Sequence, residues 1–320
     1  MRPRTLTPIK LTQGGLRKQY DGFVRSLRGR APETRGTYER ALREFLRWYK
    51  VDRKCRFVKD DIVRYKNHLV QEKQLSQVSV STYLTAVRQF CDFLTQRGIL
   101  RENPARTVGG SGRPTAHSRQ TLSAEEVRAV LDAVHPGDEL GLRDLAFIKL
   151  MVLCGLSEIE IIRANSEDLV LRDGESTLRV QGKGRLTKDA VVQIPPNVRI
   201  VLEQYLSVRG SPSPRDPLFA SAGNRTRGER MTTRGVRERV NHYLEVAGVK
   251  KGRLRQVTPY SLRHTAAVLM AEAGATADEI RDRMRLGSVM TALLYLNKVK
   301  DGEEGKGVAK KDRAAENTTP

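Results

Sequence analysis

The sequence reads TPYSLRHT at residues 258–265 and LLYL at residues 293–296, and these two stretches carry its most informative pattern. The first stretch opens with Thr-Pro, a typical helix start, because threonine is a frequent N-cap and proline is tolerated in the first turn. The predicted helix carries Arg263, and Tyr295 follows some thirty residues later in a partly apolar segment. Arginine binds phosphate through paired N–H groups, and a tyrosine hydroxyl can act as a nucleophile. Each residue also has a structural interpretation, as a fold-stabilising arginine and a core tyrosine.

Length and charge narrow the class of protein. A chain of 320 residues predicts two domains, each with room for its own core. The sequence has 58 lysines and arginines against 37 aspartates and glutamates, a net charge of +21, with cations in both halves rather than in one tail. Such a surplus favours a polyanionic partner. An aromatic content of 5% argues against a membrane-surface helix with an aromatic face.

Cysteine spacing and the N-terminal residues bear on the compartment. Cys55, Cys91 and Cys154 lie within or beside apolar patterns and lack metal-ligand spacing, so we interpret them as buried thiols in a reducing cytosol. The first residues are not followed by the apolar region of a signal peptide, and no apolar run approaches a membrane-spanning length. We therefore expect a cytoplasmic protein, associated with the nucleoid if its host is a prokaryote.

Periodicity predicts the secondary structure. Apolar residues recur at three- and four-residue steps in residues 34–49, in a helix that Asp60 and Asp61 open, and in a third helix that Ser79 caps. Further along, helical segments surround three short strands, at residues 169–171, 177–180 and 190–194. The predicted fold class is mainly α with a small antiparallel β-sheet.

Composition divides the chain into five predicted segments. They are a flexible arm at residues 1–15, a helical domain at 16–106, a Gly/Ser/Pro-rich linker at 107–119, a second domain at 120–300 and a polar tail at 301–320.

The order and spacing of these motifs resemble those of the tyrosine recombinases, the lambda-integrase-like and XerC/XerD-like enzymes. In the first domain the resemblance rests on Thr37-Tyr38, Asp60-Asp61-Ile62 and Asn103-Pro104-Ala105, and in the second it runs from about Thr121 to Lys298. It implies an all-helical SAM-like core-binding domain, an α+β catalytic domain and a C-shaped clamp on duplex DNA. It also implies double-stranded DNA as partner, self-association on DNA or a partner recombinase, and no metal or other cofactor.

The family's chemistry implies roles for four residues. A tyrosine, here Tyr295, attacks a DNA phosphodiester and forms a 3′-phosphotyrosyl link. Arg263 matches an arginine that holds the phosphate during the reaction, and Lys183 matches the β-hairpin lysine that protonates the leaving 5′ oxygen. Lys183 is equally well explained as an exposed lysine of a hairpin turn that contacts the DNA backbone. Tyr260 stands where the family has a histidine, and its hydroxyl offers a hydrogen bond to the phosphate.

Three positions depart from the family's pattern. Ser157 stands where the family has its first arginine, Tyr260 replaces a histidine, and Leu286 occupies the position of a histidine or tryptophan. Losing one preorganised donor of this kind costs about 2.7–4 kcal/mol in other enzymes, although such losses do not add. Arg285 lies beside Leu286 and Arg283 lies one turn back, and either is a candidate replacement cation on adjacency alone.

Basic residues in both domains predict contacts with the DNA backbone, which position a protein on DNA and carry no base information. They are Arg225, Arg227, Arg230, Arg234, Arg237, Lys250, Lys251 and Arg253 in the second domain, and Arg35 and Arg43 in the first.

Two functions remain open from the residues. One is an active recombinase in the integration or transposition of a mobile element. The other is a catalytically inactive accessory, architectural or regulatory DNA-binding protein derived from such an enzyme.

Overall fold

A computed structural model describes residues 13–51, 56–110, 120–172, 174–182, 184–210, 212–223, 226–252 and 256–300. The chain divides into two compact units, Met1–Pro114 and Thr115–Pro320.

Four α-helices form the described part of the N-terminal unit. They are α1 (Gln13–Ser26), α2 (Pro32–Val51), α3 (Lys59–Asn67) and α4 (Gln77–Gln96), with a 3-10 turn at Leu27–Gly29 and a π-turn at His68–Glu72. Their apolar stripes meet in one core, in which the rings of Phe45 and Tyr65 lie 4.9 Å apart and those of Phe23 and Phe90 lie 5.5 Å apart. Aromatic edge-to-face pairs of this kind add to the stability from buried area.

The start of α4 differs from the prediction. The N-cap is Ser76 rather than Ser79, and the Ser76 side chain accepts a hydrogen bond from the backbone N–H of Ser79 at 3.3 Å. Both serines have the capping chemistry, and the apolar stripe is the same from either start. Ser76 has the extended backbone conformation of an N-cap, and Ser79 lies within the helix.

The C-terminal unit combines helices with a small sheet. The helices are α5 (Ala124–Asp132), α6 (Glu139–Leu153), α7 (Glu158–Arg163), α8 (Pro196–Arg209), α9 (Thr233–Val246), α10 (Pro259–Glu272), α11 (Ala277–Arg283) and α12 (residues 289–300). The strands are β1 (Leu169–Arg172), β2 (Glu175–Val180) and β3 (Ala190–Gln193). They form an antiparallel sheet in the order β1-β2-β3, with Leu169 opposite Leu178 and Thr177 opposite Gln193. The predicted fold class is confirmed.

Two buried clusters hold the C-terminal unit together. The larger surrounds α6, whose Phe147 and Leu150 are fully buried among side chains from α8, α9 and the sheet. The smaller joins α10, α11 and α12 through Ala267, Met284 and Tyr295. Helix α10 belongs to both, and residues 261–268 are all buried. The first turns of α10 therefore present their side chains to protein rather than to solvent.

Two further expectations concern cysteines and membranes. Cys91 and Cys154 are buried free thiols, and Cys55 lies outside the described residues. Burial raises the pKa of Cys154 to about 12, so this thiol stays protonated at neutral pH. Within the described residues, none of the helices has the length and apolar composition needed to cross a membrane.

Candidate active site

The site begins at the N-terminus of α10. Thr258 is the residue before the helix and Pro259 its first residue, as the Thr-Pro pattern predicts. The Thr258 side chain makes no capping hydrogen bond; instead, its backbone N–H donates to the Ser261 Oγ at 3.1 Å. The helix start thus fixes the direction in which Arg263 and His264 leave the backbone.

Arg263 points to a buried carboxylate. Its Nη1 donates to Glu160 Oε2 at 2.7 Å and to the Gly155 carbonyl at 2.6 Å, and its Nη2 donates to the Met284 carbonyl. The Arg263 side chain is 8% exposed. A guanidinium held by three elements in this way is preorganised, so it needs little rearrangement to act on an anion.

Ser157 is the N-cap of α7 and orients Glu160. Its backbone N–H and its Oγ both donate to Glu160 Oε2, at 2.7 and 2.8 Å. This is a capping box, in which the carboxylate of the third helical residue reaches back to the N-cap. Ser157 therefore contributes no cation to the site, but it fixes the carboxylate that the cations bind.

Arg285 enters the same cluster from the turn after α11. Its Nε donates to Glu160 Oε1 at 2.5 Å, and its Nη2 donates to Glu160 Oε2 at 3.2 Å and to the Gly155 carbonyl at 2.9 Å. Its backbone has a φ of +53°, which is unusual for a residue with a side chain. Adjacency to Leu286 made Arg285 a candidate, but nothing in the sequence indicated that it would reach Glu160.

Glu160 is the electrostatic centre of the cluster. Burial by itself would raise the pKa of this carboxyl, but Arg263 and Arg285 more than compensate, so that the pKa lies below its ordinary value. The ionised carboxylate faces two guanidinium groups, and no other described carboxylate pairs with either of them. The cluster therefore carries a net charge of +1.

Tyr295 lies in the core beneath α10. The residue is 3% exposed, and its hydroxyl shares a 2.7 Å hydrogen bond with Nδ1 of His264. Burial raises the pKa of Tyr295, the nearby Tyr260 adds to this effect, and Arg263 opposes it. The hydroxyl is thus protonated at neutral pH, and it lies against the imidazole of His264. His264 had no predicted role, although it directly follows Arg263 in the sequence.

The other two predicted positions near the site have different surroundings. Tyr260 packs its ring edge-on against the His264 ring, with centroids 4.9 Å apart. Leu286 is partly buried and packs on the cluster that contains Tyr295, so it contributes an apolar contact rather than a donor.

Lys183 lies outside the described residues, but the chain on either side of it is described. The Gly182 carbonyl accepts a hydrogen bond from Nη1 of Arg163 at 3.0 Å. A Cβ atom on Gly182 would lie 3.8 Å from Glu160 Oε1, so the β2–β3 connection passes close to the carboxylate. Lys188, in the same connection, forms an ion pair with Asp168.

The predicted DNA-binding residues are distributed over several environments. Arg227 and Lys251 are exposed, whereas Arg225 and Arg253 lie outside the described residues. Arg230 hydrogen bonds to the carbonyls of Ile162 and Ala164 and to the Asn165 side chain, which ties it to the end of α7. The others form ion pairs: Arg234 with Glu238, Arg237 with Glu158, Lys250 with Glu245, and Arg35 and Arg43 with Glu39. Their contact with DNA stays a prediction.

Two family models match the chain. The model described as "Phage integrase family" matches residues 120–301, and the one described as "Phage integrase, N-terminal SAM-like domain" matches residues 18–98 and 62–108. The chain is 30% identical over 247 residues to the tyrosine recombinase XerC of Shewanella amazonensis, covering 74% of this chain and 78% of that protein. It is 27% identical over 281 residues to XerC of Mannheimia succiniciproducens, covering 87% and 90%.

Solved structures share the fold. The XerH site-specific recombinase bound to its palindromic difH substrate, in a post-cleavage complex, has a TM-score of 0.71 at 17% identity and covers 92% of this chain and 84% of that one. The Tn1549 transposon integrase in complex with circular intermediate DNA has a TM-score of 0.67 at 17% identity, covering 89% and 95%. A lambda integrase dimer bound to a COC′ core site has a TM-score of 0.62 at 15% identity, covering 86% and 96%.

Proposed function

The chain belongs to the phage integrase family of tyrosine recombinases, and from this premise we propose that it breaks and rejoins duplex DNA in site-specific recombination. It acts in the cytoplasm on nucleoid DNA. Its substrate includes the DNA of a mobile element that integrates or transposes. Both units contact the duplex, and copies of the chain associate on DNA or with a partner recombinase. The net charge of +21 and the DNA-bound state of its structural neighbours support this proposal.

In the proposed reaction, the Tyr295 oxygen bonds to the phosphorus while the bond from phosphorus to the 5′ oxygen breaks. The Tyr295 proton passes to Nδ1 of His264, and Lys183 supplies the proton that the 5′ oxygen needs to leave. Arg263 stabilises the negative charge that develops on the non-bridging oxygens, and the hydroxyl of Tyr260 donates a hydrogen bond to them. The product is a 3′-phosphotyrosyl link with a free 5′ hydroxyl, and reversal of the same steps rejoins the strand.

The observation that carries the proposal is the hydrogen bond between Tyr295 and His264. A tyrosine whose pKa is raised attacks slowly unless a base takes its proton, and an imidazole nitrogen at 2.7 Å is within the distance that such a transfer requires.

Covalent trapping tests this function. The protein is incubated with a pool of nicked duplexes, denatured in SDS and examined for DNA that stays attached. We expect an adduct from the natural chain and none from Tyr295→Phe. A suitable control is Tyr205→Phe, which removes another buried tyrosine hydroxyl in the same unit and should leave the adduct unchanged. An adduct that persists in Tyr295→Phe would show that another residue is the nucleophile.

A second candidate function is DNA binding without strand cleavage, in an accessory, architectural or regulatory role. The observation that favours it is the replacement of three donor positions by Ser157, Tyr260 and Leu286, together with the burial of Tyr295. The same experiment separates the two functions. No adduct from the natural chain, with duplex binding intact in a gel shift, would leave DNA binding as the function of the fold.

A further inference from the structure

We propose that Arg285 is a second phosphate-binding residue of this site, in which it and Arg263 together hold one phosphodiester group of the DNA backbone. The inference rests on the proposed function for the identity of the anion. It does not require that the strand be cut, because holding a phosphate and attacking it are separate steps.

The cluster of Arg263, Arg285 and Glu160 has an unbalanced charge. The side chains of Arg263 and Arg285 are only 8% and 11% exposed, and Glu160 is the one described carboxylate that pairs with them. Two buried guanidinium groups against one carboxylate leave a positive charge that nothing in the described chain neutralises. An uncompensated buried charge is unfavourable, so the cluster is arranged to receive an anion.

The fold does not require Arg285 to balance the charge of Glu160. Without Arg285, the carboxylate would still accept hydrogen bonds from Arg263 at 2.7 Å and from the N–H and Oγ of Ser157 at 2.7 and 2.8 Å. One guanidinium and one carboxylate would then form a neutral pair. Arg285 adds a charge to a site that is already complete as a structural ion pair.

The backbone of Arg285 is strained. Its φ of +53° is a conformation that glycine adopts without strain and that side chains disfavour. Glycine at this position would relieve the strain. The arginine therefore destabilises the backbone locally. Strained residues of this kind concentrate at functional sites, and here the strain directs a guanidinium to Glu160.

The geometry suits a phosphate. Nη1 of Arg263 and Nη2 of Arg285 both donate to the Gly155 carbonyl, at 2.6 and 2.9 Å, so the two guanidinium groups lie side by side. A phosphodiester has two non-bridging oxygens, and adjacent guanidinium groups bind such a pair with charge-assisted hydrogen bonds. Tyr295 is close enough to Arg263 for that charge to oppose the rise in pKa that burial causes, so a phosphate held here is near the proposed nucleophile.

The test compares three variants of the full chain. Arg285→Gly removes the side chain at a backbone position that favours glycine. Arg285→Lys keeps the charge and the strain but loses the planar fork. Arg281→Ala is the control, because it removes one partly exposed arginine of α11 that pairs with Asp278 and Asp282. For each protein we measure the melting temperature, the salt dependence of affinity for a mixed-sequence duplex, and the rate of adduct formation on nicked duplexes.

We expect Arg285→Gly to retain the melting temperature and to lower the slope of log K against log salt by about 0.9, the value for one lost phosphate contact. Adduct formation should slow by about 100-fold or more, as when one preorganised donor is removed. Arg285→Lys should keep the natural slope and form the adduct slowly. Arg281→Ala should form the adduct at the natural rate.

A natural slope and a natural adduct rate in Arg285→Gly would overturn the proposal, whether or not the melting temperature falls. If Arg285→Gly does not fold, Arg285→Lys decides, because an adduct rate equal to that of the natural chain excludes a role for the fork. If the natural chain forms no adduct, cleavage fails as the function, and the salt slopes alone decide the role of Arg285. No duplex binding by the natural chain would overturn both proposals.

Discussion

Gly155 occupies a position at which both its backbone and its missing side chain are needed. Its φ is +64°, and a Cβ atom there would overlap the sulfur of Met284 and lie 3.0 Å from its methyl carbon. Met284 is fully buried, so it has little room to move away. The Gly155 carbonyl also accepts hydrogen bonds from both arginines of the site. A glycine therefore lets α6 end against Met284 while its carbonyl faces the cations.

Gly155→Ala should destabilise the C-terminal unit and disturb the site. The positive φ costs about 1–2 kcal/mol for a residue with a Cβ atom, and the overlap with Met284 adds about 1–3 kcal/mol. Gly174→Ala is the matched control, because Gly174 has a φ of +82° but a Cβ atom there would have no heavy atom within 4 Å. Denaturant unfolding of the two variants separates the contribution of the positive φ from that of the overlap with Met284. Equal losses of stability would show that the Cβ atom does not clash with Met284.

At the scale of elements, α11 determines where Arg285 lies. The helix begins with a capping box, in which the Thr276 Oγ1 accepts from the Glu279 N–H at 3.3 Å and Glu279 accepts from the Thr276 N–H at 2.8 Å. It is fastened to α10 and α12 by Ile280 and Met284, both fully buried. Because α11 ends at Arg283, its orientation controls the turn that carries Arg285.

Thr276→Ala should lower the free energy of unfolding by about 1 kcal/mol, the usual loss when an N-cap hydroxyl is removed. Ser207→Ala is the control. It removes a hydroxyl that donates to the Gln204 carbonyl within α8 and that has no capping role. That second change should be close to neutral in chemical denaturation. If the two variants lost the same stability, the capping box would not be what holds the start of α11.

At the scale of the whole molecule, the two units have separate cores. The buried cluster of the N-terminal unit runs from Leu16 to Val108, and the two clusters of the C-terminal unit run from Leu122 to Tyr295. Proposed DNA-contacting arginines occur in both units. Each unit thus has the interior that an independently folding domain requires.

We therefore predict that fragments 1–114 and 115–320 fold separately. Each should show a cooperative thermal transition, and the sum of their far-ultraviolet circular dichroism spectra should reproduce that of the full chain. The control is a division at residue 150, which cuts through α6 and through the core around Phe147. The 151–320 fragment from that division should not unfold cooperatively, because it lacks Phe147 and most of α6. An unstructured 115–320 fragment would show that the C-terminal unit depends on the N-terminal one.

Local periodicity, turn chemistry and motif order were enough to predict the fold class, the three antiparallel strands, the start of α10 at Pro259 and the family, but not the N-cap of α4. Tertiary packing was needed to show that Arg285 and Arg263 share Glu160, and that His264 hydrogen bonds to the Tyr295 hydroxyl. Glu160 and Arg285 are 125 residues apart in the chain. Whether such side chains meet depends on helix packing and on one unusual φ angle. Neither can be inferred from the spacing of residue types.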